Sequence, residues 1–221
     1  MTIAIIESDP LVPPGLVVEA LAISNIPYRL IQLHADRHLT LPPDLAGAVI
    51  LGGTMSVEDV TLFPFLADLK AFVRQGLANR LPMLGICLGG QLLAEATGGR
   101  VHRNRCGEKG VRQIRQAGQE IRLFAGLAST FTSFEWHDDS FVPPSGTAPL
   151  ASTPTCPHQA FEAGPRAFGL QFHPEVDSRI VAAWSEKTGK QKHFLEEYEK
   201  HADTYRKTSL ALLNNFFNMI P

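Results

Sequence analysis

Cys87 lies in Gly85-Ile86-Cys87-Leu88-Gly89, the Gly-x-nucleophile-x-Gly spacing in which flanking glycines permit a strained strand-to-helix turn that lifts a nucleophile above a sheet. Gly90 follows directly. A cysteine at the start of a helix sits among free backbone amides, which favour negative charge on its sulfur, and the amide after it can donate to an oxyanion. The chemistry this suits is attack on a carbonyl carbon through a covalent thioester. A cysteine between a buried strand and a helix can also be a small core hydrophobe. The glycines on both sides and the apolar run before it favour the nucleophile. Cys106 and Cys156 have no such setting and are expected to be structural or incidental.

A thiolate of this kind needs a histidine to deliver a proton to the leaving amine, and an acceptor to orient that imidazole. Of the eight histidines, His34, His38, His193 and His201 lie in polar or charged stretches and are expected at the solvated surface. His173 differs: it follows the apolar run Phe168-Gly169-Leu170-Gln171-Phe172, precedes Pro174, and has Glu175 two residues on. A loop at a strand end could bring both side chains to one face. On spacing alone, an ordinary surface histidine at a strand end fits as well.

Gly85-Ile86-Cys87-Leu88-Gly89-Gly90-Gln91 together with Gly169-Leu170-Gln171-Phe172-His173-Pro174-Glu175 resembles the paired signature of the class I (triad) glutamine amidotransferases. The closest resemblance is to the glutaminase domain of guanylate synthetase and its free-standing relatives. It covers about residues 45–176 well, and the first third of the chain only in pattern. The resemblance implies a catalytic triad of Cys87, His173 and Glu175, with a γ-glutamyl thioester on Cys87 and release of ammonia. Ile50-Leu51-Gly52-Gly53-Thr54-Met55-Ser56-Val57 is similar to the family's oxyanion segment, which implies that the amides of Gly53 and Leu88 form the oxyanion hole, beside Gly52. As an isolated pattern, Gly52-Gly53 is equally a turn after a strand. Gln91 matches a glutamine-binding position. Phe134-Glu135-Trp136-His137-Asp138-Asp139-Ser140-Phe141 matches a segment lining the pocket, which makes Trp136 and His137 substrate-binding candidates. Many members with a synthetase partner carry Ser where this chain has Trp136. Asp138 and Asp139 could hold the substrate's α-amino group or form a solvated turn.

The elements that must position these residues show in the alternation of short apolar runs and helical patterns. Strands are expected at Ile3 to Ile6, Tyr28 to Leu33, Ala48 to Leu51 and Leu81 to Ile86, with helices at Gly15 to Ser24, Phe63 to Leu77 and from the nucleophile to Ala96. That alternation predicts an α/β fold: a mostly parallel central sheet flanked by helices, flavodoxin-like, as in the resembled family. From Arg100 to Phe172 short runs with Gly and Pro punctuation predict a short antiparallel extension, at Val111 to Ile114, Ser133 to Trp136, Phe161 to Glu162 and Ala167 to Phe172. A helix over Ser178 to Ser185, a charged stretch and an apolar stripe from Leu210 to Ile220 predict a helical C-terminal tail. The stripe is expected to pack on the sheet rather than form a partner surface. One domain over residues 1–221 is expected, with its core at about 1–176 and the tail at about 177–221.

With 44% hydrophobic and 19% charged residues the chain has ordinary globular composition, and 20 Lys plus Arg against 22 Asp plus Glu leave no field to attract nucleic acid or an anionic membrane. Three cysteines without a CxxC pair point to a reducing compartment, and the apolar start breaks too early for a signal peptide, so a cytoplasmic location is expected. No metal-ligand spacing and no phosphate-cradling loop appears, and no cofactor or metal is expected. Glutamine or another small γ-glutamyl compound is the expected substrate. The chain carries no second catalytic domain, so ammonia is expected to pass to a separate synthase or ligase subunit. The alternatives are a free-standing γ-glutamyl hydrolase or peptidase, modestly favoured by Trp136, and a degenerate binding or regulatory module, disfavoured by the intact Cys87, His173 and Glu175. A homodimer is left open.

Overall fold

The computed structural model describes residues 1–36, 39–118 and 121–220. Strand β1 (Thr2–Glu7) is followed by α1 (Leu16–Ile23), β2 (Tyr28–Gln32), the short α2 (Leu33–Asp36) and β3 (Leu45–Ile50). Then come α3 (Phe65–Ala78), β4 (Met83–Ile86), α4 (Leu88–Ala96), β5 (Arg100–His102) and β6 (Glu108–Gln116). After β7 (Thr130–His137), β8 (Ser140–Val142), β9 (Ala151–Ser152), β10 (Ala160–Gly164) and β11 (Ala167–Leu170), the chain closes with α5 (Ser178–Ser185) and α6 (Gln191–Phe217).

The main sheet runs β2-β1-β3-β4-β11-β10-β9-β6-β7. From β2 to β11 every pairing is parallel, and from β11 to β7 every pairing is antiparallel. A separate two-stranded antiparallel pair joins β5 to β8. The mostly parallel α/β sheet with helices on its faces is therefore the expected one. Its parallel strands are buried on both faces, and their side chains divide with a period of two. Ile3 and Ile5 enter one core with α1, α5 and α6, while Ala4 and Ile6 enter the other with α3 and α4.

Two features differ from expectation. The antiparallel part contains β6 and β7, paired from Glu108↔His137 to Arg115↔Thr130, longer than the apolar cores Val111 to Ile114 and Ser133 to Trp136 suggest. Their ends carry Lys109, Arg115, Thr130 and Thr132, polar residues that a strand with one wet face tolerates. The tail is one continuous helix through the charged stretch, because Phe194, Tyr198, Tyr205, Leu212, Leu213, Phe216 and Phe217 keep a buried stripe at helical spacing from end to end. The expected packing of the apolar stripe on the sheet holds, since those residues join the α1 and β7 core.

That helix also secures the loop after β11. The Tyr205 hydroxyl, fully buried, donates to the His173 carbonyl at 2.7 Å and accepts from the Val176 amide at 3.0 Å. Tyr198 Oη adds a bond to the Val176 carbonyl at 3.3 Å. Asp177 then caps α5, its carboxylate accepting from the Ile180 amide at 2.9 Å. Among the described residues no helix is long and apolar enough to cross a membrane.

Tyr205→Phe strands a buried N–H and a buried C=O, and should destabilise the chain by about 1–3 kcal/mol. Urea denaturation should show the midpoint falling at unchanged slope.

Candidate active site

Cys87 occupies the residue between β4 and α4 with φ 50° and ψ −105°, a left-handed backbone that costs a non-glycine residue about 1–3 kcal/mol. Its amide donates to the Leu170 carbonyl at 2.8 Å and its carbonyl accepts from the Gln91 amide at 2.9 Å, so the neighbouring strand and the following helix both hold the turn. The elbow glycines are required by close approach: a Cβ on Gly89 would run into the Ile50 carbonyl, and one on Gly85 into the Gly89 backbone. The turn presents the thiol at the carboxyl edge of the parallel strands, where ligands of open α/β sheets bind.

His173 follows β11, the parallel neighbour of β4. Its amide bonds to the Phe134 carbonyl at 2.8 Å, which ties the loop to β7. Nδ1 of His173 lies 2.6 Å from Glu175 Oε1, with both side chains buried. A carboxylate accepts, so Nδ1 carries a hydrogen and Nε2 is the functional nitrogen. Nε2 has no hydrogen-bond partner in the protein. The Trp184 ring from α5 stands edge-on to the imidazole at 4.8 Å and donates its indole N–H to the Leu11 carbonyl at 2.5 Å. Burial alone lowers the affinity of His173 for its proton, but the Glu175 carboxylate and the Cys87 sulfur outweigh it and hold the imidazole well above its ordinary value.

The thiol and the imidazole meet across Gly52. A Cβ at that position would lie 3.3 Å from His173 Cε1 and 3.5 Å from the Cys87 Cβ. Gly53 lies against Leu88, whose Cδ2 would be 2.9 Å from a Cβ on Gly53. Gln171 Nε2 approaches the Cys87 sulfur to 3.6 Å from the side. Cys87, His173, Gly53, Gln91, Trp136 and His137 all line one cavity of about 580 Å³. Gly52 sits at its floor, between Cys87 and His173. Gln91 contributes its side-chain amide, 3.4 Å from the Asp139 carbonyl, which also accepts from His137 Nδ1 at 2.8 Å. Trp136 is fixed among aromatic rings, stacked on Phe134 at 6.1 Å and edge-on to Phe194 at 5.0 Å.

Asp138 is paired with Lys109 at 2.9 Å, and the Asp139 carboxylate accepts from the Asn104 amide at 3.0 Å. His34 is not simply solvated, since its Nε2 lies 2.8 Å from Glu7 Oε1. His193 is exposed, His201 is half-buried, and His38 lies outside the described residues.

Three contributors had no sequence signal of their own. Trp184 and Tyr205 act from the tail. Asp9 carries the loop after β3, its carboxylate accepting from the Thr54 amide at 3.0 Å, from the Thr54 hydroxyl, and from the Leu11 amide at 2.9 Å. An acidic residue just after the first strand, facing a Gly-Gly-Thr turn, is the one hint that could have pointed to it.

The fold and this cluster define a Cys-nucleophile α/β protein, and the family model "Glutamine amidotransferase class-I" matches residues 16–183. The chain belongs to that family. It is 44% identical over 135 residues to GMP synthase [glutamine-hydrolyzing] of Aeropyrum pernix, covering 61% of this chain and 25% of that protein. Against a GMP synthase [glutamine-hydrolyzing] subunit of Methanococcus maripaludis it is 35% identical over 138 residues, covering 61% of this chain and 66% of that one. The chain thus spans about a quarter of the length of the Aeropyrum pernix and Porphyromonas gingivalis relatives. A solved glutamine amidotransferase from Thermotoga maritima superposes with TM-score 0.88 at 25% identity, over 98% of this chain and 97% of that one. Another, from Methylobacillus flagellatus, also gives 0.88 at 25% identity, over 100% and 95%.

If Glu175 holds His173 protonated, Glu175→Gln should move the alkaline limb of the kcat/KM profile for amide hydrolysis to lower pH, because the imidazole then loses its proton nearer its ordinary value. The kcat should fall by up to about 10⁴-fold, the loss seen when the carboxylate of a related triad is replaced. A profile unmoved by the substitution would remove Glu175 from the site.

Proposed function

We propose that the chain hydrolyses the side-chain amide of glutamine or a γ-glutamyl amide, with Cys87 as nucleophile, His173 as acid and base, and Glu175 as the residue that orients His173. The observation that carries this is the unpartnered His173 Nε2 beside the Cys87 thiol, its other nitrogen locked on Glu175. The Cys87 sulfur attacks the amide carbon as a thiolate, and the carbonyl oxygen takes up negative charge facing the amides of Gly53 and Leu88. His173 gives its Nε2 proton to the leaving nitrogen, the C–N bond breaks, and ammonia or an amine departs from a γ-glutamyl thioester. Water then attacks with His173 taking its proton, the C–S bond breaks, and glutamate leaves with the thiolate restored. Gln91 and His137 face the glutamyl group from the opposite wall.

The relatives named as GMP synthases, or as single subunits of them, support passage of the ammonia to a separate synthase or ligase. A free-standing hydrolase of larger γ-glutamyl compounds is the second reading. It is favoured by the cavity of about 580 Å³, within the range of pockets that take drug-sized molecules, and by the aromatic wall of Trp136 and Trp184. The paired Cys87, His173 and Glu175 speak against a module that only binds. In this proposal the chain works as one domain, since the Tyr205 anchor makes the tail part of the site, and it acts in a reducing compartment such as the cytoplasm.

Ammonia release from glutamine and from a panel of γ-glutamyl amides, by the wild-type chain and by Cys87→Ser, tests the proposal. Turnover that the substitution lowers to background is expected, a loss of about 10⁶-fold where the reaction rests on one nucleophile. Turnover that survives in Cys87→Ser would sink it. Preference for glutamine favours the amidotransferase reading, and preference for bulky γ-glutamyl amides the free-standing one.

A further inference from the structure

Beyond the wall that His137 gives to the cavity, β6, β7 and the segment between β9 and β10 enclose a second set of polar side chains. Glu108, His137 and Cys156, all buried, each present one donor atom, and the three atoms lie within 4.8 Å of one another. The bond from His137 Nδ1 to the Asp139 carbonyl puts the hydrogen on Nδ1 and leaves a lone pair on Nε2. This is the arrangement in which a ligating imidazole is oriented by a backbone carbonyl behind it. Nε2 is buried and without a hydrogen-bond partner. Glu135, fully buried, has one oxygen 3.3 Å from that Nε2, and neither of its oxygens is hydrogen-bonded. An imidazole lone pair and a carboxylate buried unpaired cost folding free energy, and native proteins seldom leave them so.

The other two donors are held just as firmly. Thr153 Oγ1 and Gln159 Nε2 donate to Glu108 Oε2 at 2.6 and 2.8 Å. The Cys156 amide donates to the Thr153 hydroxyl at 2.9 Å, closing the turn that carries the thiol. We propose that Glu108, His137 and Cys156 bind a divalent transition cation of the zinc class, with Glu135 beside them to complete the shell directly or through water. One sulfur, one nitrogen and one oxygen donor suit zinc or cobalt, whereas magnesium and calcium take oxygen sets. Donors around a tetrahedral ion stand about 3.3–3.8 Å apart, so small side-chain rotations close the set. Binding releases the Cys156 thiol proton, and the thiolate and the Glu108 carboxylate balance the two charges of the ion.

The ion would join β6, β7 and the turn before β10, which pair only with one another and through β9 at this end of the sheet. It would also brace the nucleophile's surroundings, since Gln159 bonds both to Glu108 and, through its carbonyl, to the Gln171 amide at 2.9 Å, and Gln171 reaches the Cys87 sulfur. Sequence spacing hides such a site, because its ligands come from three segments with no short motif.

Titration of the full-length, chelator-treated chain with cobalt(II) under reducing conditions tests this. One equivalent should bind and produce thiolate-to-cobalt charge-transfer absorption. That band should persist in Cys87→Ser and vanish in Cys156→Ser, while His137→Gln should weaken binding at least about 10-fold. Should Cys156→Ser fail to fold, His137→Gln and Glu108→Gln carry the test by the same loss of affinity. Absence of stoichiometric binding, or a band that disappears with Cys87 instead, would overturn the proposal.

Discussion

The register between β4 and β11 is the constraint on which the site depends. Ile86 lies opposite Leu170 in a parallel pair, and the Cys87 amide continues the ladder onto the Leu170 carbonyl. Neighbouring strands stand about 4.8 Å apart, so two segments leaving the same edge at the same level must emerge side by side. The nucleophile turn leaves β4 one residue after the pairing ends, and the loop bearing His173 leaves β11. A register slip of one residue would turn the side chains of β11 to the opposite core and break the approach. The burial of Leu84, Ile86, Phe168 and Leu170 in one core is thus also what aligns thiol and imidazole.

Around that register the protein spends rigidity. The left-handed Cys87 is held by bonds to a strand and a helix, the loop after β3 by Asp9, and the loop of His173 by Phe134 on one side and Tyr205 on the other. A histidine locked between a carboxylate and a tryptophan edge has few ways to turn, which is the preorganisation that covalent catalysis needs. The terminal helix, which in many sheets only covers apolar surface, here reaches the backbone at the reacting centre.

Much of this was legible in the residues. The parallel half of the sheet showed because strands buried on both faces read as apolar runs between helical patterns, and the elbow because two glycines flanked Cys87. His173 and Glu175 were readable together only because they are two residues apart at a strand end. What stayed hidden depends on long-range contact: Tyr205 is an ordinary helix tyrosine until its partner carbonyl is known, and Trp184 a tail aromatic until it meets the imidazole. The full length of β6 and β7 was obscured by the charged side chains on their wet face, and the continuity of the last helix by its mostly polar surface. Glu108, His137 and Cys156 carry no mutual spacing at all, and only the fold brings them within reach of one another.

The central claim is that Cys87 is activated by His173 within a cavity shaped for a γ-glutamyl group. A chloroketone analogue of glutamine, followed by peptide mapping with mass spectrometry, tests it most directly. The account predicts labelling of Cys87 alone among Cys87, Cys106 and Cys156, slowed by glutamine or a γ-glutamyl amide and suppressed in His173→Asn. Labelling spread over Cys106 and Cys156, or an unprotected Cys87 that reacts equally in His173→Asn, would contradict it.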